Sequence, residues 1–293
     1  MGDPDIRPFG VGMQPRRSLL FVPGNRPDRV AKAVSTGADV ITIDWEDAVA
    51  PTDKAAARQQ TLAALADLPP SGQGMERLVR INPLDTTDGL ADLLALISQR
   101  PAIDGIMLPK VRAGADVQVI DRLLGDLPWR LHVIIETADA LACLDAIAGA
   151  SRRTTTLLFG AIDLAADLGA TLGWEPLVSA RAAVVAAAAR SGLVPLDAPW
   201  LTLDQPDGLA AEATRAAAMG FQGKAAIHPH QVPVIHTAFT PSVDEVTEAR
   251  AVLAAFAAAP GGVLVYKGRL IEAPVIRRLT RVIALAERAQ VSP

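Results

Sequence analysis

The feature that most constrains the fold of this chain is a regular alternation of short apolar segments with longer, helix-like segments. Eight segments have the length and apolar content of buried strands, and they lie at residues 18–22, 40–43, 78–82, 105–108, 131–136, 156–160, 193–196 and 223–227. Helical patterns follow most of them, at residues 28–35, 53–65, 116–124, 137–147, 180–191 and 207–219. Strands that alternate with helices in this way predict a parallel sheet covered by the helices.

The number of strands favours one particular closed sheet, the TIM (β/α)8 barrel. No Gly-x-Gly-x-x-Gly sequence follows the first strand, which argues against a doubly wound dinucleotide-binding fold. We predict an α/β protein with a flexible leader at residues 1–15, a catalytic barrel at residues 16–240 and a C-terminal extension at residues 241–293. The extension is expected to pack on its own barrel or on a neighbouring subunit. Its helical patterns and one short strand lie at residues 242–258, 273–288 and 263–266.

Composition and charge exclude several classes of protein. Aromatic residues make up 4% of the 293 residues and the formal net charge is -4, without a basic cluster, which argues against a nucleic-acid partner. Cys143 is the only cysteine, so no disulfide framework is expected and a reducing compartment fits best. The longest alanine-rich runs fall short of the ~20 apolar residues of a membrane span, and residues 1–15 lack the pattern of a signal peptide. We therefore predict a cytoplasmic protein with no membrane partner.

Two acidic residues follow neighbouring strands of the predicted barrel. Glu136 ends the fifth strand, and Asp163 comes a few residues after the sixth. Because parallel strands end at the same edge, both carboxylates are expected at the carboxyl-terminal rim of the barrel. Two hard oxygen ligands without a Cys/His cluster suit Mg²⁺, which keeps room for water or substrate. Taken alone, either acid is also compatible with a helix cap or a solvated loop.

Further polar residues follow the other strands, where TIM-barrel enzymes have their active sites. They are Asp44, Glu46, Asp47, Arg80, Asn82, Lys110 and His228. Side-chain alternation places Arg80 on the same inward face as Leu78. An inward arginine needs a partner, so Arg80 either pairs with one of the acids at positions 44, 46 and 47 or binds an anion. The coincidence of many polar residues at one rim favours a catalytic site, in which the role of His228 stays open.

Seven short motifs carry a resemblance to a known family. They are Arg17–Gly24 (RSLLFVPG), Asp44–Val49 (DWEDAV), Val79–Asn82 (VRIN), Pro109–Val111 (PKV), Ile135–Thr137 (IET), Phe159–Leu164 (FGAIDL) and Lys224–Pro229 (KAAIHP). In this order they resemble the HpcH/HpaI aldolase and citrate lyase β-subunit family, in particular its citrate-lyase-β-like (CitE-like) branch. The ordered set spans nearly the whole predicted barrel.

The resemblance implies a TIM barrel, a homotrimer or hexamer, and one Mg²⁺ held by Glu136 and Asp163. It also implies that Arg80 binds the carboxylate of a 2-keto acid such as oxaloacetate, glyoxylate or pyruvate. The other residues that it places at the site are the acids Glu46 and Asp47 beside the metal-bound waters, the backbone near Gly160 and Ala161 at the keto-acid carboxylate, and Pro23 and Gly24 at the substrate.

The resemblance extends to the C-terminal extension. Family members that act on coenzyme A thioesters carry a tail acid that enters the neighbouring subunit's site and handles the proton of the acetyl-derived carbon. The matching stretch here, GRLIEAP at residues 268–274, has Glu272 where the family has aspartate. Trp45 stands where the family has leucine and is expected at the pocket wall. Arg16, Arg17, Arg26 and Lys32 are expected near the coenzyme A phosphates or on a solvated charged face.

Together these expectations describe a Mg²⁺-dependent carbon–carbon lyase. The predicted reaction is retro-Claisen cleavage of a short 3-hydroxyacyl thioester, such as a citryl-, malyl- or citramalyl-CoA-like compound, to a 2-keto acid and an acyl thioester. The thioester is carried by coenzyme A or by a carrier protein. Two alternatives remain open at this point: a metal-dependent aldolase acting on free 4-hydroxy-2-keto acids, and a non-catalytic keto-acid-binding subunit.

Overall fold

The computed structural model describes residues 15–68, 74–259 and 263–289 of the chain. These residues form two compact units, one within Met1–Ile235 and one within His236–Pro293. The predicted leader, apart from Pro15, lies outside the described residues. The domain boundaries predicted from the sequence stay predictions.

In the described part of the first unit, eight parallel strands close into a barrel. The strands are β1 (Ser18–Pro23), β2 (Val40–Asp44), β3 (Glu76–Arg80), β4 (Gly105–Leu108), β5 (Arg130–Ile135), β6 (Thr154–Phe159), β7 (Val194–Asp197) and β8 (Gly223–Ala226). Each strand pairs with the next along the chain, and Leu19 of β1 faces both Val40 of β2 and Ala225 of β8, which closes the sheet. The predicted TIM barrel is confirmed.

Helices follow the strands on the outside of the barrel. They are α1 (Pro27–Ala33), α2 (Lys54–Ala66), α3 (Thr87–Gln99), α4 (Gly114–Leu124), α5 (Ala138–Ala142), α6 (Leu144–Ala148), α7 (Ala161–Asp167), α8 (Trp174–Ser191), α9 (Pro206–Met219) and α10 (Gln231–Phe239). α3, α7 and α10 are absent from the sequence-based prediction. The single helix predicted between β5 and β6 is divided at Cys143 into α5 and α6, and α8 begins six residues earlier than predicted, at Trp174.

The middle of the barrel is filled by apolar side chains from all eight strands. They are Leu19, Val40, Leu78, Met107, Ile134, Leu158, Val194, Leu196 and Ala225, and all are buried. Because side chains alternate along a strand, residues two positions further along point into the same interior. The same alternation therefore carries Phe21, Asp44, Arg80 and Glu136 to the carboxyl-terminal end of the barrel, above this apolar layer.

A buried ion-pair cluster closes the opposite, amino-terminal end of the barrel. Arg16 donates from Nε and Nη2 to the two carboxylate oxygens of Glu76, at 2.5 and 2.7 Å, and from Nη1 to Thr156 at 3.1 Å. His132 lies 3.3 Å from the same carboxylate and is fully buried. Arg17 pairs with Asp39 at 2.9 Å. The expectation that Arg16 and Arg17 contact coenzyme A phosphates is therefore wrong, because both side chains are held in ion pairs where β1 begins.

The described part of the second unit contains two long helices and a small hairpin. The helices are α11 (Val243–Ala258) and α12 (Ala273–Arg288), and the antiparallel strands are β9 (Leu264–Tyr266) and β10 (Arg269–Ile271). Ser242 caps α11 through a reciprocal pair of hydrogen bonds with Glu245. A small core forms around Ala249, Val252 and Leu279. Across both units, the described helices include none with the length and apolar character needed to cross a membrane.

Candidate active site

A cavity of about 520 Å³ lies at the carboxyl-terminal end of the barrel. Its charged lining residues are Arg29, Asp44, Asp47, Arg80, Glu136 and Asp163. Its floor and walls are apolar, with contributions from Phe21, Ile134, Leu158 and Ile227. The cavity thus combines a small polar cluster with apolar surface at the face where barrel enzymes have their active sites.

Arg80 is the last residue of β3 and is held by three acids, one at the end of β2 and two in the loop after it. Its Nε and Nη2 atoms donate to the two Asp44 carboxylate oxygens at 2.7 and 2.5 Å. Its Nη1 atom lies 2.7 Å from Glu46 and 3.4 Å from Asp47. Burial alone would lower the pKa of Arg80, but the acids outweigh it and raise the pKa. The ion pair expected from the sequence is present, and the guanidinium still lines the cavity.

Asp44 holds both Arg80 and the loop that carries the other acids. Its carboxylate accepts hydrogen bonds from the backbone N–H groups of Glu46, at 2.9 Å, and Ala48, at 3.2 Å. The sequence prediction places Asp44 at the rim as one candidate partner of Arg80, but it assigns Asp44 no catalytic or binding role. Strand alternation was the available signal, because Asp44 is two positions beyond the inward-facing Thr42 and four beyond Val40.

Glu46 and Asp47 have pKa values that are shifted in opposite directions. Burial raises the pKa of Glu46 to about 8, against the opposing effect of Arg80. Burial also acts to raise the pKa of Asp47, but hydrogen bonding to Glu46 and the charge of Arg80 lower it. The two neighbouring carboxyl groups therefore differ in acidity, with Glu46 the weaker acid and Asp47 the stronger. Asp47 lines the cavity, and Glu46 lies buried beside Arg80, outside the described lining.

Glu136 and Asp163, the predicted metal ligands, are joined by Lys110. The Lys110 backbone N–H donates to Glu136 Oε1 at 2.7 Å, and its ammonium donates to Asp163 Oδ2. The Lys110 Nζ atom also lies 3.8 Å from Glu136 Oε1. Burial raises the pKa of Glu136 to about 7, although the lysine lowers it. For Lys110, burial would lower the pKa, but Glu136 and Asp163 raise it.

Gly160 leaves the space that Glu136 occupies. A Cβ atom at position 160 would come within 2.4 Å of the Glu136 Cβ and 2.9 Å of its Oε2. The Gly160 N–H donates to the Ile135 carbonyl at 2.9 Å, which extends the pairing of β5 and β6 by one residue. Gly160 and Ala161 both line the cavity. The clearest contribution of Gly160 is therefore steric, because its N–H already has a partner.

The loop after β1 is supported from behind by Trp45. Pro23 lines the cavity, and Gly24 donates its N–H to the Asp44 carbonyl at 2.8 Å. A Cβ atom at Gly24 would lie 2.5 Å from the Trp45 ring. Trp45 is fully buried and donates from Nε1 to Thr61 at 2.9 Å. The expectation that Trp45 forms the pocket wall is therefore wrong: the indole faces α2 and supports the loop that the cavity uses.

The remaining residues predicted from the sequence are His228 and Glu272. Ile227, the residue before His228, lines the cavity. The His228 Nδ1 atom accepts the N–H of His230, and both rings border a separate pocket beside Trp200. Glu272 is exposed in the second unit, immediately before α12, so its role as an acid or base stays a prediction. Arg29, which the sequence prediction omits, exposes its side chain and lines the cavity.

The donor set at Glu136 and Asp163 fits a magnesium ion. Both predicted ligands are carboxylates, and a positive group, the Lys110 ammonium, already lies between them. Within the described residues, no group of three or more His, Cys, Asp or Glu side chains is arranged to hold a metal. Mg²⁺ needs no such cage, because it binds through one or two carboxylates and takes its other ligands from water or substrate. The open cavity beside the two acids provides that room.

Comparisons with known proteins agree with this geometry. The family model described as HpcH/HpaI aldolase/citrate lyase matches residues 17–229, and a model described as C-C_Bond_Lyase of the TIM-Barrel fold matches residues 176–290. The first model spans all eight barrel strands and every cavity residue named above. The second extends over the helices and hairpin of the second unit.

Three individual proteins illustrate the similarity. An L-malyl-CoA/beta-methylmalyl-CoA lyase from Cereibacter sphaeroides is 39% identical, over 94% of this chain and 95% of that protein. A (3S)-malyl-CoA thioesterase from the same species is 36% identical, over 93% and 95%. The crystal structure of CitE from Mycobacterium tuberculosis in complex with magnesium, acetoacetate and coenzyme A has a TM-score of 0.80 and 34% identity, over 93% of this chain and 98% of that one.

Proposed function

The chain belongs to the HpcH/HpaI aldolase/citrate lyase family, and we propose that it cleaves a short 3-hydroxyacyl-coenzyme A thioester in a Mg²⁺-dependent retro-Claisen reaction. The protein is a carbon–carbon lyase. The proposed products are a 2-keto acid and an acyl thioester, and malyl-CoA-like compounds are the first substrates to test. The similarity to a malyl-CoA lyase along almost the whole of both chains supports coenzyme A rather than a carrier protein as the thioester carrier.

The observation that carries this proposal is the meeting of Glu136, Asp163 and Arg80 in one cavity. We assign Glu136 and Asp163 to Mg²⁺, which when bound supplies a Lewis acid for the oxygen atom on which charge develops. CitE of Mycobacterium tuberculosis binds magnesium together with a keto acid and coenzyme A, which supports the assignment. The backbone N–H of Lys110 donates to Glu136 Oε1 at 2.7 Å and orients this carboxylate.

Arg80 is the proposed binding residue for the carboxylate of the keto acid. Asp44 occupies two of its nitrogen atoms and fixes the plane of the guanidinium, while the side chain remains part of the cavity lining. The ring of Phe21 lies 5.1 Å from the guanidinium carbon and supports it from below. A guanidinium fixed in one plane suits a planar carboxylate better than a lysine ammonium would.

Proton transfer is assigned to acids on both sides of the breaking bond. The 3-hydroxyl loses its proton as the carbon–carbon bond breaks and the keto group forms, and the electron pair of that bond passes to the acyl thioester as its enolate. Asp47, whose pKa is lowered by Glu46 and Arg80, lines the cavity and is placed to accept the hydroxyl proton. Glu272 is proposed to protonate the enolate carbon. A homotrimer or hexamer would allow Glu272 to serve a neighbouring subunit.

The test is a cleavage panel with the purified protein. Malyl-, β-methylmalyl-, citramalyl- and citryl-coenzyme A are each supplied with Mg²⁺ and then with excess EDTA, beside free 4-hydroxy-2-keto acids. Release of a keto acid and an acyl thioester is followed by separate assays. We expect EDTA-sensitive cleavage of at least one thioester, and loss of that cleavage in Glu136→Gln.

One comparison favours a second candidate, hydrolysis of the thioester, because a malyl-CoA thioesterase is also similar along almost its whole length. The same panel separates the two reactions, since hydrolysis releases free coenzyme A and the intact hydroxy acid, without a keto acid. Turnover of free acids alone would instead indicate an aldolase. Keto-acid binding without any turnover would indicate a non-catalytic subunit.

The tail acid needs a test of its own. Glu272→Asp should preserve or raise thioester cleavage if this carboxylate works at the enolate carbon, and Glu272→Gln should lower kcat by about 10²-fold, the lower range for a positioned acid or base. Keto-acid binding should be unchanged in both variants. Equal kcat values in Glu272→Gln and the unmodified protein would contradict the assignment.

A further inference from the structure

Lys110 is held between the proposed metal ligands by both its backbone and its side chain. Its backbone has a positive φ of 49°, in the left-handed region that non-glycine residues seldom adopt. This conformation allows its N–H to reach Glu136 Oε1 at 2.7 Å while its ammonium reaches Asp163. Unusual backbone conformations of this kind persist where the surrounding structure requires them, often at functional sites.

The Lys110 ammonium lies among three carboxylates. Besides its contact with Asp163, Nζ lies 3.8 Å from Glu136 Oε1 and 3.9 Å from Glu46 Oε1. Glu136 and Glu46 are buried, so without a neighbouring positive charge their ionised forms would be poorly solvated. The lysine side chain is only partly exposed, which limits the screening of its charge by water.

We propose that Lys110 is a built-in counter-ion of the metal site, which neutralises Glu136 and Asp163 in the metal-free protein and competes with Mg²⁺ for them. The inference rests on the proposed function, since it takes these two acids as the metal ligands. A divalent cation and an ammonium cannot both lie against the same pair of carboxylates without strong repulsion. Binding of Mg²⁺ therefore requires the ammonium to leave Asp163, and Lys110 lowers the affinity of the site for the metal.

A purely structural ion pair makes a different prediction. If Lys110 served only to anchor its loop, its ammonium would remain on Asp163 when the metal binds, and removal of its charge would leave the metal affinity unchanged or weaken it. The counter-ion model predicts the opposite sign, because removal of the competing charge frees both carboxylates. The sign of the change in Mg²⁺ affinity therefore separates the two models.

The experiment is calorimetric titration of Mg²⁺ into the full-length, metal-free protein without substrate. A mildly alkaline buffer keeps the carboxylates ionised. We expect Lys110→Met to bind Mg²⁺ at least about tenfold more tightly than the unmodified protein, a difference of about 1.4 kcal/mol. Lys110→Arg keeps the charge and should stay close to the unmodified protein. Lys267→Met is the matched control, because it removes the same charge from an exposed lysine paired with Glu248 in the second unit.

Thermal unfolding of the same metal-free proteins gives an independent measurement. Lys110→Met should unfold at a lower temperature than the unmodified protein, because its acids repel each other without a counter-ion. Saturating Mg²⁺ should then raise its unfolding temperature by more than it raises that of the unmodified protein, since stabilisation by a ligand grows with affinity. Lys110→Gln provides the same test if the methionine variant does not fold.

The outcomes distinguish this inference from the proposed function. Mg²⁺ binding that Glu136→Gln abolishes, with equal or weaker binding in Lys110→Met and Lys110→Gln, would overturn the counter-ion model and leave the metal site intact. Binding that appears only in the lysine variants would support the model strongly. Absence of Mg²⁺ binding in every variant would overturn both the model and the metal site.

Discussion

The two ends of the barrel contain the same kinds of charged residue but use them in opposite ways. At the amino-terminal end, Arg16 and His132 surround Glu76. Burial alone would raise the pKa of Glu76, but these two neighbours outweigh it and lower the pKa. At the carboxyl-terminal end, burial raises the pKa of Glu136 and Glu46 instead.

The difference follows from how completely each carboxylate is paired. Both oxygens of Glu76 accept hydrogen bonds from one arginine. At the other end, five carboxyl groups lie within 4 Å of either Arg80 or Lys110; they are Asp44, Glu46, Asp47, Glu136 and Asp163. Complete pairing of the charges at the amino-terminal end stabilises the fold. The excess of acidic groups beside the cavity at the carboxyl-terminal end favours the binding of a cation and the exchange of protons.

The largest expected effect is on activity at the carboxyl-terminal end. Glu136→Gln keeps the shape of the side chain but removes a charge from the proposed metal site. We expect kcat/KM for thioester cleavage to fall by at least about 10³-fold, because the Lewis acid contributes several kcal/mol to the transition state. Circular dichroism and thermal unfolding should show a folded protein. Retention of full Mg²⁺-dependent activity would contradict the proposed role of Glu136 at this end of the barrel.

A matching change at the amino-terminal end should affect stability instead. Glu76→Gln leaves Arg16 buried without its ionic partner, and such changes cost about 3–5 kcal/mol when the pair is buried. Urea unfolding measures the loss in the free energy of unfolding. Under native conditions the kcat of the folded variant should be unchanged. A loss of kcat in the folded variant would mean that the two ends are not separate in function.

A smaller effect is expected when the shape of the site is changed without its charges. Gly160→Ala introduces a methyl group where Glu136 now lies, at 2.4 Å from its Cβ. A displacement of about 1 Å at a catalytic group can cost about 10²-fold in rate. We expect a loss of this size in kcat/KM together with weaker Mg²⁺ binding, measured by titration. Gly173→Ala is the control, because φ is also negative there and a Cβ would meet only Pro176, at an ordinary contact distance of 3.6 Å.

The smallest expected effect is a difference in acid stability. His132 has a pKa below 6.5 because it is fully buried, so unfolding takes up a proton and the free energy of unfolding falls as the pH drops below 6.5. Glu76 has a pKa below 4.5, so its contribution to stability is present above pH 4.5 and is lost as the pH falls further. Urea unfolding at a series of pH values should show both losses. His132→Gln should remove the first loss and Glu76→Gln the second.

Much of this fold was accessible from the sequence because its strands are buried on both sides. Continuous apolar segments of four to six residues mark such strands, and their ends mark the rim of the barrel. The location of Glu136 and Asp163 at the rim follows from those strand ends. The inward direction of Arg80 follows from side-chain alternation. The same alternation also indicates the direction of the Trp45 side chain. Trp45 follows the inward-facing Asp44 and therefore points outward, towards α2.

Other features depend on tertiary structure that no local pattern expresses. α3 buries Leu93 and Leu96 but exposes Leu90 and Leu94, so its apolar residues do not mark a single face. The positive φ of Lys110 gives no signal in the sequence, because lysine has no preference for that conformation. The raised pKa of Glu46 requires its burial, which depends on β2, β3 and α2 being assembled. The chemistry of the rim is therefore predicted less completely than its position.

The arginine that closes the amino-terminal end has a consequence for the order of folding. Thr156 follows Arg16 by 140 residues in the chain, so at about 5–20 residues per second the ribosome needs roughly 7–28 s to add it after Arg16. The neighbour of β1 in the closed sheet, β8, emerges later still. Contacts between residues so distant in sequence form slowly. Closure of the barrel must therefore be a late event in biosynthesis, and until then Arg16 lacks its contact with Thr156.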